Sequence, residues 1–210
     1  MRITEIFYSL QGEGLSAGEP TVFVRLTGCP LRCGYCDTSY AFQGGEWMTL
    51  QQILDQVAEY HCPQVCVTGG EPLAQPDTPT LLSLLCDADY RVSLETSGAL
   101  DVGSVDSRVV KVMDLKTPSS GEQERNRLDN LRHLVAGDQI KFVIGNRSDY
   151  EWSREMLCQH HLEQRAKVLF SPVAQQLDPT LLANWILEDS LPVRLQLQLH
   201  KLLWGEERGH

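Results

Sequence analysis

Residues 21–36 read TVFVRLTGCPLRCGYC. The first seven, Thr21 to Thr27, are β-branched and half-alternating, which predicts a strand. Cys29, Cys33 and Cys36 follow on the loop at its end. Downstream, Gln64–Thr68 (QVCVT) is a short apolar run ending in Gly69-Gly70, a buried strand before a tight turn. Arg91–Glu95, Val109–Asp114, Gln139–Ile144, Lys167–Phe170 and the strictly alternating Val193–Leu199 read as further strands. Between them, Thr49–Tyr60 carries Leu50, Ile53, Leu54 and Val57 at helical spacing, with Thr49 and Gln52 forming a capping box. Thr80–Cys86, Leu128–Val135 and Asp149–His160 read as helices. Asp178-Pro179 reads as the cap and first-turn proline of another, running through Leu187.

Six or seven strands with helical crossovers predict a largely parallel sheet. A full eightfold β/α barrel needs about 250 residues, and this chain has 210. The expected fold is therefore α/β, a partial, open barrel of the (β/α)6 type, in one domain over residues 1–210. The segment Thr117–Asn126 (TPSSGEQERN) reads as a mobile loop, and residues 204–210 as a frayed tail. Such barrels carry their chemistry on loops at the carboxyl ends of the strands. Polar residues gather at those ends: Cys29 onward, Thr68–Glu71, Glu95–Ser97, Asp114–Lys116 and Ser171.

Eighteen Lys plus Arg against 28 Asp plus Glu give a net charge of −10. That balance disfavours a nucleic-acid binder, which needs a basic face to neutralise phosphates. No apolar run approaches the 18 or so residues of a membrane span, and the first residues, MRITEIFYSLQGEG, lack the apolar core of an export signal. Seven cysteines cannot all pair within one chain. Reduced thiols in a cytoplasm are the expectation.

Three of those cysteines lie within CPLRCGYC, residues 29–36, and two chemistries compete for them. Zinc takes four ligands, typically two separated pairs in a closed tetrahedron. Only Cys62 and Cys66 could supply a second pair, and Cys66 lies inside an apolar strand run. The alternative is a [4Fe–4S] cluster held by three thiolates, with one iron left open, where most such clusters use four. The spacing, together with Tyr35, Asp37 and the nearby glycines, favours the open cluster.

The loop Cys29-x3-Cys33-x-Tyr35-Cys36 resembles that of the radical S-adenosylmethionine (SAM) enzymes. In that superfamily the amino and carboxylate groups of SAM chelate the open iron, and one electron releases a 5′-deoxyadenosyl radical. Val67–Pro72 (VTGGEP) resembles the stretch that meets the SAM amino group there; two glycines permit the close backbone approach this needs. EIFYSLQGEG (residues 5–14), AGEPTVFVRLTGC up to Cys29, CDTSYAF from Cys36, ETSG from Glu95 and DLKTPSSG from Asp114 narrow the likeness. They are similar to motifs of the 7-carboxy-7-deazaguanine synthase family, over residues 5 to about 121, with a weaker echo in LHKLLWG near the end. Some relatives carry a longer insertion between the first two cluster cysteines.

The resemblance implies a lyase that converts 6-carboxy-5,6,7,8-tetrahydropterin into 7-carboxy-7-deazaguanine, releasing ammonia, on the path to queuosine and other deazapurines. It implies a [4Fe–4S] cluster on Cys29, Cys33 and Cys36, with SAM and a magnesium ion as further cofactors. Thr38 matches the magnesium ligand. Tyr35, Cys36, Asp37, Gly70, Ser97, Asp114, Leu115, Lys116, Ser171, Pro172 and Val173 match SAM contacts. Leu10, Gln11, Gly12, Arg25 and Thr68 match substrate contacts, Arg25 being suited to a carboxylate through its planar fork. A one-electron donor such as flavodoxin and a homodimer are implied as partners, with no nucleic acid and no membrane.

Plainer roles stand beside these. Arg25 alternates with Val24 and Leu26 and fits the solvent side of a strand; Thr38 fits a turn hydroxyl; Glu95 and Lys116 fit a structural ion pair. Two other functions compete. A radical activating enzyme acting on a partner protein's glycine shares the cluster and GGEP but lacks the LQGEG stretch and the Thr after Cys-Asp. A zinc module would show no absorption near 400 nm after anaerobic reconstitution.

Overall fold

The computed structural model describes residues 1–205 together with Glu207 and Gly209. Of the expected frayed tail, Glu206, Arg208 and His210 lie outside the described residues, while Trp204 closes a helix. Among the described residues nine strands form one sheet: β1 (Arg2–Leu10), β2 (Pro20–Leu26), β3 (Glu46–Trp47), β4 (Gln64–Gly69), β5 (Arg91–Thr96), β6 (Val110–Asp114), β7 (Gln139–Ile144), β8 (Lys167–Pro172) and β9 (Arg194–Leu195). Their order is β3-β1-β2-β4-β5-β6-β7-β8-β9. From β2 to β9 every neighbouring pair is parallel; β1 runs antiparallel to both β2 and β3. The end strands β3 and β9 do not pair with each other, so the sheet stays open, as expected for a partial barrel.

Helices α1 (Leu50–Ala58), α2 (Thr78–Asp87), α3 (Arg147–His160) and α4 (Pro179–Glu188) pack on the outer face, and α5 (Leu199–Trp204) follows β9. The Thr49–Gln52 capping box and the Asp178 cap form as the sequence predicts. One core cluster joins Val22, Val24, Leu26 and Val67 to Ile53, Val57, Leu81 and Leu85 of α1 and α2. A second joins Ile140, Phe142, Val168 and Phe170 to Tyr150, Leu157, Leu182 and Ile186 of α3 and α4. Because strand side chains alternate, the residues between these point the other way. Arg25, Thr68, Glu95 and Lys141 line the concave face.

Several local expectations change. Arg2–Leu10 forms a strand that no clean alternation announces, because the register shifts between Ile3 and Glu5 and breaks the period of two. The crossover from β5 to β6 holds no helix, and residues 128–135 hold a 3₁₀ turn over Leu128–His133 instead of an α-helix. The helix expected from Asp149 starts at Arg147, capped by the Asn146 side chain on the Asp149 amide (3.0 Å). The alternating run 193–199 pairs only through Arg194 and Leu195. Residues 117–126 are pinned, with the Lys116 amide donating to Asn126 Oδ1 and Asn126 Nδ2 to the Lys116 carbonyl, both at 2.8 Å. No helix among the described residues is long and apolar enough to cross a membrane.

Candidate functional site

A cavity of about 360 Å³ opens at the carboxyl ends of the parallel strands. Cys29, Cys33 and Cys36 line it, each half-buried, on the loop that leaves β2. That loop is locked to the turn after β4. Gly70 donates to the Leu26 carbonyl (3.2 Å) and Glu71 to the Gly28 carbonyl (2.9 Å). A Cβ on Gly70 would sit 2.3 Å from the Gly28 oxygen and 2.7 Å from Cys29 Cβ, so the close approach requires glycine.

Glu71 is the hub of this corner. Its carboxylate is fully buried. It accepts from Thr96 Oγ1 (2.9 Å), the Ser97 amide (2.7 Å), Ser97 Oγ (2.5 Å) and the Leu73 amide (3.1 Å). One side chain thereby ties the end of β4 to the end of β5.

The inner wall carries charge. Lys141 Nζ lies 2.5 Å from Glu13, 3.7 Å from Glu95 and 3.8 Å from Asp114, and Lys116 Nζ lies 2.9 Å from Asp114. Burial pushes the Glu13 carboxyl up, but the contact with Lys141 outweighs it and holds the group below its ordinary range. Glu95 is farther from the lysine. Burial dominates there and, with Glu13 and Asp114 nearby, lifts it to about 7. Lys141 itself is held well above its ordinary value by these carboxylates, against the pull of burial. The ion pair considered between Glu95 and Lys116 does not form; the lysines sort to Asp114 and Glu13.

A raised carboxyl has a defined pH signature. Unfolded, Glu95 ionises near pH 4.5; folded, near 7. Between those values the folded state holds the extra proton, so this group's contribution to stability falls as pH rises. Thermal melts from pH 5 to 8 should show Glu95→Gln losing less stability with rising pH than the parent. Parallel curves would exclude the shift.

The chain after β9 closes one side of the cavity. Gln196 Oε1 accepts from the Gly14 amide (2.6 Å), the Leu199 amide donates to the Gly12 carbonyl (2.9 Å), and Gln198 Nε2 donates to Glu13 (2.7 Å). Lys201 Nζ reaches Asp37 at 3.3 Å. Burial alone would raise Asp37, but Lys201, the Thr38 hydroxyl and Lys141 hold it at about 2. His200 lies against Gly12, where a Cβ would meet its Nδ1 at 2.0 Å.

Leu10, Gln11, Gly12, Arg25, Tyr35, Asp37, Thr38, Thr68, Gly70, Ser97, Asp114, Lys116 and Val173 all line this cavity beside the three thiols. Leu115, Ser171 and Pro172 do not. Leu115 is buried in the second core cluster, and Ser171 and Pro172 are buried at the end of β8. Lys141, Glu13 and Gln198 line the site without having been singled out. A lone lysine inside the apolar run QIKFVI was the available signal for the first. Gln198 had none, because its alternating run reads as a strand.

Residues 23–114 match the family model of the radical SAM superfamily. A 7-carboxy-7-deazaguanine synthase from Chlorobaculum tepidum is 46% identical over 99% of this chain and 96% of its own length. The chain belongs to the 7-carboxy-7-deazaguanine synthase family. A second family member, from Koribacter versatilis, is 44% identical over 99% of this chain and 98% of that one. The crystal structure of QueE from Escherichia coli superposes with a TM-score of 0.74 at 24% identity, covering 95% and 94% of the two chains, and shares the fold.

Enzymes of this radical SAM family use a [4Fe–4S] cluster and SAM, and the donor set here fits. Three thiols ring one cavity wall, and burial, foremost, raises the pKa of each. Thiols so placed become thiolates at neutral pH only against a cationic group such as cluster iron. Among the described residues no three Cys, His, Asp or Glu side chains converge closely enough for a single metal ion. Tyr35, raised to about 12 chiefly by burial, stays a neutral phenol beside them.

Proposed function

We propose that this chain converts 6-carboxy-5,6,7,8-tetrahydropterin into 7-carboxy-7-deazaguanine with release of ammonia, on the route to queuosine and related deazapurines. The observation that carries the reading is the meeting, in one cavity, of the three-thiol loop with the Leu10–Gly12 stretch, Arg25 and Thr68. The bound cluster and SAM would supply a 5′-deoxyadenosyl radical there. Tyr35, Cys36, Asp37, Gly70, Ser97, Asp114, Lys116 and Val173 would hold SAM, with Leu115, Ser171 and Pro172 fixing the strand ends beneath. Gln11, buried and able both to donate and to accept, would take an edge of the pterin.

Arg25 would grip the substrate carboxylate. Its Nε donates to Glu5 (2.7 Å) and its guanidinium lies over Phe7 and Tyr40, at 5.6 and 5.8 Å from the ring centroids. Those contacts fix the fork before substrate arrives. Thr38, whose hydroxyl donates to Asp37 at 2.9 Å, would offer its oxygen to magnesium, a hard cation that keeps several waters. A flavodoxin-like electron donor, a homodimer and a cytoplasmic setting, with no nucleic acid or membrane, complete the proposal.

An anaerobic turnover assay with reductant, SAM, magnesium and carboxytetrahydropterin tests it. SAM cleavage without a deazaguanine product would assign another substrate. Arg25→Ala should raise KM by about 10-fold or more, the worth of a charge-assisted hydrogen bond, with kcat far less affected. An unchanged KM would remove the carboxylate grip.

A further inference from the structure

The thiol loop is held from outside by a carboxylate on a different element. Asp149, in the first turn of α3, is fully buried. Its Oδ1 accepts from the Ser119 amide (2.9 Å), and its Oδ2 from the Gly145 amide (2.8 Å) and the Ser119 hydroxyl. Ser119 belongs to the 3₁₀ turn Pro118–Ser120, a single turn closed by the bonds of the Ser120 amide to the Thr117 carbonyl and the Gly121 amide to the Pro118 carbonyl, both 3.1 Å. That turn supports residues 32–35. Gly34 donates its amide to the Ser120 carbonyl at 3.0 Å, and Arg32 donates its amide to Glu122, two residues on. Thr117, fully buried, donates to the Val143 carbonyl (2.9 Å) and lies 3.3 Å from the Tyr35 hydroxyl.

We infer that Asp149 is a positioning residue for the cluster loop: through Ser119 it fixes the turn whose Ser120 carbonyl and Thr117 hydroxyl set Gly34 and Tyr35 between the cluster cysteines. The inference rests on the cluster assignment. Groups that orient metal ligands govern retention of the metal and its response to a bound ligand, and their loss commonly costs about 10- to 100-fold. Fold stability alone would not carry that signature.

Ser119→Ala, at a residue exposed as a whole, removes one donor from the buried Asp149 carboxylate and keeps the bond from the Ser119 amide, and Asp149→Asn changes the carboxylate itself. Asp178→Ala, which deletes the α4 cap (Thr180 amide to Oδ1, 2.8 Å), supplies a comparable small stability loss away from the site. All are reconstituted anaerobically. Two readouts are taken: decay of the absorption near 400 nm under an iron chelator, and the SAM concentration that half-converts the EPR signal of the reduced cluster. Ser119→Ala and Asp149→Asn should speed iron loss at least about fivefold and raise the half-converting SAM at least about threefold. Asp178→Ala should match the parent in both while melting earlier. Parental values in Ser119→Ala, or equal shifts in Asp178→Ala, would overturn the inference. A parent chain that takes up no cluster would overturn the cluster assignment and the inference with it.

Discussion

Glu71→Ala is expected to lower the melting temperature by about 8–16 °C and to strip the chain of its capacity to retain a cluster. The carboxylate takes donors from Thr96, Ser97 and Leu73 in a place that water does not reach. Truncation leaves those donors buried without partners, each at about 1–3 kcal/mol, less whatever relaxation recovers. A net loss of about 4 kcal/mol is reasonable for a broken buried network, and each kcal/mol shifts Tm by about 2–4 °C at this size. The effect reaches the site because the Glu71 amide holds the Gly28 carbonyl, next to Cys29. Glu71→Gln keeps the shape but turns an NH₂ toward donors that need an acceptor, so it should recover only part of the loss. Thermal melts and iron content after reconstitution check this. A fall under about 3 °C with full iron content would refute the hub role.

Lys141→Met should be nearly as damaging, and its damage should depend on pH. The lysine is the shared counter-charge of Glu13, Glu95 and Asp114, on three separate elements. Removing one partner of a buried ion pair costs about 3–5 kcal/mol, because the other charge is left desolvated. Without Lys141, burial carries the Glu13 carboxyl above its unfolded value, as it already does Glu95 at about 7. The folded variant then binds more protons than the unfolded chain, so it gains stability as pH falls. The Tm deficit against the parent should therefore be larger at pH 8 than at pH 5.5. A deficit equal at the two pH values would mean that Lys141 matters by packing alone. With the wall of the cavity recharged, kcat/KM should fall at least about 100-fold, close to 3 kcal/mol of lost transition-state stabilisation.

Which segments were legible beforehand follows from how each is stabilised. The buried parallel strands and their capped helices announce themselves, because burial on both faces selects continuous apolar runs and an orphaned helix terminus selects Thr49 or Asp178. The β1 strand was hidden by its register shift at Ile3/Glu5. Val193–Leu199 misled because alternation records side-chain chemistry and not a partner. Beyond Leu195 the Gln196 amide makes one more bond to the Phe170 carbonyl, and the glutamine side chains are then drawn to Gly14 and Glu13. Residues 117–126 look mobile by composition and are ordered by Asn126 and Asp149, contacts that span 10 and 30 residues.

The sequence by itself determined the α/β class, a largely parallel sheet, and the thiols and glycines of the site, since these depend on local period and on spacing within one loop. Only the tertiary structure decided which carboxylate Lys141 neutralises, that Glu71 joins two strand ends, and that the chain after β9 folds back onto Gly12–Gly14. Those are contacts between residues distant in sequence, fixed by burial and electrostatics once the sheet has brought them together, and no local pattern encodes them.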